Sequence, residues 1–239
     1  MNVIVVNNYD RMSEEAAKII RAQIVKKPAS VLGLATGSSP VGIYGLLAEF
    51  HQKGLDFSGL TTFNLDEYVG LPADHPASYH HYMEKELFSK VNIDPARIFI
   101  PNGAADDTAA ECRRYEEAIK RAGGIDLQLL GIGENGHIGF NEPGSPFGAQ
   151  TRVVELAEST IRANSRFFAS KADVPTKAVS MGIKTIMRAR SILLVANGGS
   201  KAQAIARAVK GPVTEKLPAS VLQLHPDVTI VVDQAAAGG

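Results

Sequence analysis

Three short segments of this sequence carry residue types that can move protons or hold an anion. Asp66 and Glu67 stand side by side after an apolar run, and a carboxylate projected from the end of a strand into a cleft can take a proton from a bound substrate. Two adjacent acids point in different directions, so only one is expected to be catalytic; either can instead be a capping or salt-bridged acid. Asn135, His137 and Glu142 fall close together among Gly133, Gly136, Gly139 and Gly144. A histidine flanked by an amide and a carboxylate can be fixed in one tautomer and shuttle protons near neutral pH, and glycines let backbone approach a ligand closely. A histidine without such neighbours is more often structural or simply exposed. Thr36, Gly37, Ser38 and Ser39 lie between an apolar run and Pro40, where backbone amides and a helix N-terminus can receive a phosphate. The same four residues also suit a tight strand-to-helix turn with two hydroxyl caps. Two basic residues stand out by position: Arg166 in ANSRFF, and Lys201 just past Gly198-Gly199-Ser200. Each could be an ordinary surface charge, but a lysine at a helix start opposes the dipole unless an anion sits beside it.

These residues must be positioned by the elements between them. Short β-rich apolar runs alternate with helical patterns, which predicts an α/β fold: a doubly wound, mostly parallel sheet with helices on both faces, Rossmann-like. Strands are expected at Val3 to Val6, Ser30 to Ala35, Thr61 to Leu65, Ile98 to Ile100, in IDLQLLGIG, in RVVEL, at Ser191 to Ala196 and at Val228 to Val232. Ser13 is expected to cap the first helix, with Glu14 and Glu15 in its first turn. Further helices are expected from Pro40 to Lys53, around Ser78 to Phe88, from Asp106 or Asp107 to Gly123-Gly124, near Ser159 to Phe168 and from Ser200 to Val209. Asp66 and Glu67 are expected to end the third strand, with a polar loop after them. No repeat or linker interrupts the pattern, so residues 1–239 are expected to form one domain, with the tail 235–239 disordered. Ligands of open α/β sheets collect at the carboxyl ends of strands, where all three loaded segments fall.

Composition narrows the function classes. Twenty-five Lys+Arg balance twenty-five Asp+Glu, which removes the long-range field expected of a protein that works on nucleic acid or an anionic membrane. Cys112 is the single cysteine, and MNVIVVNNYD has neither a basic n-region nor a long apolar stretch, so a reduced, cytoplasmic protein is expected. No apolar run approaches the roughly 18 to 20 residues of a membrane span. The thirty-six region is neither a Walker A loop nor GxGxxG, which removes the best support for nucleotide binding. Histidines 51, 75, 80, 81 and 225 show no zinc-type spacing, and no metal site is expected.

Taken in order, LATGSSP, NLDEYVGL, GIGENGHIGFNEPG, STIRANSRFF, VSMGI and LPASVLQLHPDV resemble the glucosamine-6-phosphate deaminase family over essentially the whole chain. The resemblance implies conversion of glucosamine 6-phosphate to fructose 6-phosphate and ammonia without a metal or organic cofactor. It implies Asp66 as the base that moves the C2 proton to C1, and His137 as the group that opens the pyranose ring, steered by Asn135 and Glu142. Arg166, Lys201 and the Thr36 to Ser39 loop would hold the phosphate, and roughly Thr151 to Ser180 would form a mobile lid. An aspartate has a reference pKa of about 3.9, so Asp66 is expected to be ionised at pH 7. Some members carry Asp where this chain has Asn135. Longer, allosteric members carry an extra C-terminal segment and a basic residue two positions after the one matching Arg152. Here that position is Val154 and the chain ends soon after Asp233, so an unregulated enzyme is expected, monomeric or weakly associated. A 6-phosphogluconolactonase-like hydrolase on the same fold is the nearest alternative, although NLDEYVGL argues against it. A non-catalytic sugar-phosphate sensor is the other, and this chain has no room for a helix-turn-helix.

Overall fold

Val31–Leu34 and Leu127–Leu130 are buried at every position, as strands covered on both faces must be. In the computed structural model, which describes residues 1–158, 161, 168 and 174–238, these runs are the centre of a seven-stranded parallel sheet. In chain order the elements are β1 (Asn2–Val6), α1 (Tyr9–Lys26), β2 (Val31–Leu34), α2 (Val41–Gln52), β3 (Thr61–Asn64), β4 (Asp66–Tyr68), α3 (Tyr79–Glu86), β5 (Ile98–Phe99) and α4 (Thr108–Arg121). They continue with β6 (Leu127–Leu130), β7 (Arg152–Glu155), β8 (Lys177–Ser180), α5 (Ile183–Ile186), β9 (Ser191–Ala196), α6 (Ala202–Lys210), β10 (Val228–Asp233) and α7 (Gln234–Ala237). The order across the large sheet is β1-β10-β9-β6-β2-β3-β5. From β2 the chain steps outward through β3 to β5, then returns to lay β6 on the other side of β2. The direction of winding therefore reverses between β2 and β6, and the loops that leave these two strands diverge and open a crevice at their carboxyl ends.

Three local expectations are corrected. Helix α1 begins at Tyr9, because Asn8 takes an extended conformation and its side chain accepts from the Arg11 N–H; Ser13 lies buried inside the helix. Asp66 and Glu67 do not end β3: they start β4, the edge of a three-stranded antiparallel sheet ordered β4-β8-β7. Leu65 joins the two sheets, since its N–H donates to Leu34 O in β2 while its carbonyl accepts from Met181 N beyond β8. Strand β8 and helix α5 were not foreseen, because four residues each are too few to display a period. The tail is ordered through α7, where Asp233 accepts from Ala236 N and Ala236 is fully buried.

Of the lid expected over 151–180, residues 151–158 and 174–180 supply β7 and β8, which pair antiparallel. Most of the helix expected near Ser159 to Phe168, with Arg166, lies outside the described residues. Ile161 and Phe168 pack against a small second core of Tyr68, Phe140, Leu156 and Ala178. Among the described residues no helix is long and apolar enough to cross a membrane.

Candidate active site

The crevice is a cavity of about 490 Å³ whose lining includes residues 35–40, Asp66, Tyr79, the 131–137 stretch and Lys201. Its first wall is the turn after β2. Gly37 has φ +110°, a conformation that costs a side-chain-bearing residue strain. Ser39 Oγ donates to Asn197 Oδ1 at 2.6 Å, tying this turn to the one after β9. The latter is fixed in turn by Asp233, whose carboxylate accepts from Gly198 N at 3.0 Å. Lys201 follows directly and lines the same cavity. Burial lowers its pKa, with the Glu134 carboxylate acting the other way; an anion beside it would oppose the effect of burial.

The second wall carries the paired acids, and they diverge. Glu67 is buried, and its carboxylate accepts from Tyr79 N and His80 N, at 3.0 Å each, and meets His80 Nδ1 at 2.8 Å. It anchors the first turn of α3, where negative charge is favoured. Asp66 instead lines the cavity. It faces Gly139 so closely that a Cβ there would stand 3.5 Å from Asp66 Oδ2. Burial, and secondarily the charge of Glu67, push the Asp66 carboxyl up to about 8. This places the group well above the reference value from which it was expected to be ionised at pH 7, and a cation beside it or a higher pH favours its ionisation.

The third wall is the loop after β6. His137 Nδ1 lies 2.8 Å from Asn135 Oδ1, and Asn135 Nδ2 donates to Glu142 Oε2 at 2.7 Å. The carboxylate can only accept, so it fixes which end of the Asn135 amide faces the histidine. Nδ1 therefore carries the proton, and Nε2 of the neutral ring is left as an acceptor. Glu142 Oε2 is itself 3.5 Å from Nδ1, so the amide and the carboxylate together hold the ring in this tautomer. Gly133 lies flat against the ring; a Cβ there would come within 2.2 Å of Cε1.

Asp66, His137, Thr36 to Ser39 and Lys201, far apart in the chain, thus border one cavity, with Asn135 and Glu142 arranged behind the imidazole. Among the described residues no group of three or more His, Cys, Asp or Glu could hold a metal ion. Tyr79 and Phe140, which also line the cavity, were not singled out from the sequence. Tyr79 follows a capping serine in an ordinary helical pattern, and nothing in its spacing marks it.

The sequence profile of the glucosamine-6-phosphate isomerases/6-phosphogluconolactonase family matches residues 7–231. A glucosamine-6-phosphate deaminase of Halothermothrix orenii is 56% identical over 238 residues, covering 99% of each chain. One of Thermoanaerobacter pseudethanolicus is 55% identical, covering 99% of this chain and 94% of its own. A solved monomeric glucosamine-6-phosphate deaminase superposes with a TM-score of 0.98 at 50% identity, covering 100% of this chain and 99% of the other. The 6-phosphogluconolactonase of Trypanosoma cruzi shares the fold at a TM-score of 0.81 and 22% identity.

Proposed function

The chain belongs to the glucosamine-6-phosphate isomerase/6-phosphogluconolactonase family, and on that premise we infer that it isomerises and deaminates glucosamine 6-phosphate, with water, to fructose 6-phosphate and ammonia. The observation that carries this reading is that a single cavity is lined by a raised carboxyl, Asp66, and by His137, and extends to the 36–39 turn and Lys201. The sugar phosphate is held at its phosphate end by the amides and hydroxyls of Thr36, Gly37, Ser38 and Ser39 and by the Lys201 ammonium. Arg166 is proposed to join them.

Ring opening comes first, because the C2 proton becomes acidic only beside a C1 aldehyde. His137 accepts the O1 proton at Nε2 and returns a proton to the ring oxygen, while Nδ1–H stays on Asn135. The substrate ammonium then favours ionisation of Asp66, which removes the C2 proton; the enolate oxygen on C1 takes a proton from that ammonium, leaving an enolamine. Its nitrogen lone pair closes a C2=N bond as Asp66 delivers the proton to C1, water adds at C2, and ammonia leaves. General acid and base groups of this kind contribute about 10² to 10⁴ each.

Purified, metal-stripped enzyme is expected to release ammonia and fructose 6-phosphate in equal amounts from glucosamine 6-phosphate and to leave 6-phosphogluconolactone untouched in a parallel tube. Turnover of the lactone alone would reverse the assignment. Binding without turnover, seen as a raised Tm, would make the site a sensor pocket. In line with its solved relative, the enzyme is proposed to act as a monomer, in the cytoplasm.

Two pH dependences follow. The kcat/KM profile reports the free enzyme, so it is expected to climb roughly tenfold per pH unit toward about 8, where the Asp66 carboxyl ionises; a flat profile between pH 6 and 8 would contradict this. Replacing Asn135 by Asp adds a second carboxylate beside His137 Nδ1, next to Glu142. Its effect is expected in kcat, which reports the bound state, as an acid limb displaced to higher pH. A proton NMR titration of His137 checks the cause, and an unmoved limb counts against the relay.

A further inference from the structure

Three phenols from three different helices converge on the turn after β2. Tyr44 of α2 donates to Ala35 O at 2.5 Å, Tyr82 of α3 donates to Gly37 O at 2.7 Å, and Tyr9 of α1 donates to Ser38 O at 3.1 Å. The Tyr9 oxygen also accepts from Gly42 N at 2.8 Å, in the first turn of α2. Among the described residues none of these three tyrosines lines the cavity, whereas Ala35, Gly37 and Ser38 all do. The phenols thus stand behind the turn.

Among the described residues no peptide bond is cis. In a trans peptide the carbonyl and the N–H of the next residue point in opposite directions. Holding the carbonyls of Ala35, Gly37 and Ser38 on the phenol side therefore directs the N–H groups of Thr36, Ser38 and Ser39 the other way. Those N–H groups have no acceptor among the described residues. The arrangement matters most at the Gly37–Ser38 peptide. Gly37, at φ +110°, has no side chain to restrict a flip of that peptide, and a flip would turn a carbonyl oxygen toward an incoming anion.

We propose that Tyr9, Tyr44 and Tyr82 are positioning residues for the substrate phosphate, holding the amides of the 36–39 turn in their anion-receiving orientation. The proposal rests on the reading of this turn as the phosphate cradle. Tyr82 carries a second consequence. It lies one helical turn beyond Tyr79, on the helix whose first turn is anchored by Glu67, the neighbour of Asp66. Helix α3 therefore touches both the strand that carries the base and the phosphate cradle.

The test uses Tyr82→Phe and Tyr9→Phe, each of which deletes one oxygen from a half-buried side chain; Tyr44 is fully buried and is left alone. An interaction made equally in the ground and transition states appears in KM and not in kcat. Tyr82→Phe is expected to raise KM for glucosamine 6-phosphate about fivefold through lost pre-organisation of the turn, with kcat within about twofold of wild type and Tm lowered by no more than a few degrees. Binding of inorganic phosphate, followed by calorimetry, is expected to weaken by the same factor. Tyr9→Phe should act in the same sense, and the double variant more strongly than either. Unchanged KM and phosphate affinity in the double variant would overturn the proposal, as would a fall in Tm or kcat at constant KM. Phosphate binding needs no turnover, so the two readings separate. If wild-type enzyme makes no ammonia while Tyr82→Phe still weakens phosphate binding, the reaction assignment fails and the positioning role stands. If wild type turns over and phosphate binding ignores the substitution, the positioning role fails alone.

Discussion

Asp66→Asn is expected to abolish exchange of the substrate C2 proton with solvent and to lower kcat by about 10² to 10⁴, while glucosamine 6-phosphate still binds. Deuterium uptake at C2, followed by NMR in D2O, reads the first effect; calorimetric titration reads the second. The substitution keeps the shape of the side chain and removes only the group that titrates. Its stability control has a definite sign. The Asp66 pKa is raised from 3.8 to about 8 by burial and by Glu67, so between those values the folded state holds a proton that the unfolded chain has released. Stability therefore falls as pH rises across that window, and the asparagine variant escapes this loss. Its Tm at pH 8 is expected to equal or exceed that of wild type. Retained proton exchange with normal folding would remove Asp66 from the role of base.

Gly133→Ala is expected to cost about 10² in kcat through geometry alone. The added methyl would come within 2.2 Å of His137 Cε1 and 2.3 Å of Nδ1, far inside contact distance. The imidazole must swing away, and its 2.8 Å bond to Asn135 Oδ1 breaks with it. A displacement of about 1 Å in a catalytic group is enough for a loss of this size. Because the 36–39 turn is untouched, KM is expected to change little, so a steady-state kcat and KM pair distinguishes this variant from those at the phosphate end. A kcat within about twofold of wild type would show that the ring's present position is not the working one.

How much of this was legible beforehand depends on the physics of each part. The central strands announce themselves because burial on both faces demands continuous apolar runs: Ser191–Ala196 is read to the residue. The glycine-rich loop is equally visible, since Asn135, His137 and Glu142 are near in sequence and their hydrogen bonds are local. Strand β4 is not, because Asp66 and Glu67 read as the end of the strand before them, and they are buried in a separate sheet only by partners that arrive from β8 and α3. For the same reason the raised carboxyl of Asp66 could not be foreseen: desolvation is set by distant residues. Tyr9, Tyr44 and Tyr82 lie in three ordinary helical patterns, and their convergence is a property of packing.

The small antiparallel sheet has a consequence for how such a site can diversify. Glu155 and Lys177 are register partners at the open end of the β7–β8 ladder, so the chain between them leaves and returns at one point. The cost of closing such an excursion grows only slowly with its length. That stretch can be lengthened, shortened or exchanged while the seven-stranded sheet keeps every one of its pairings. Ser180, at the other end of β8, pairs with Asp66, so the exchangeable stretch is attached to the strand that carries the base. A change in that stretch is thus one ladder away from the carboxyl of Asp66, with the large sheet left as it is.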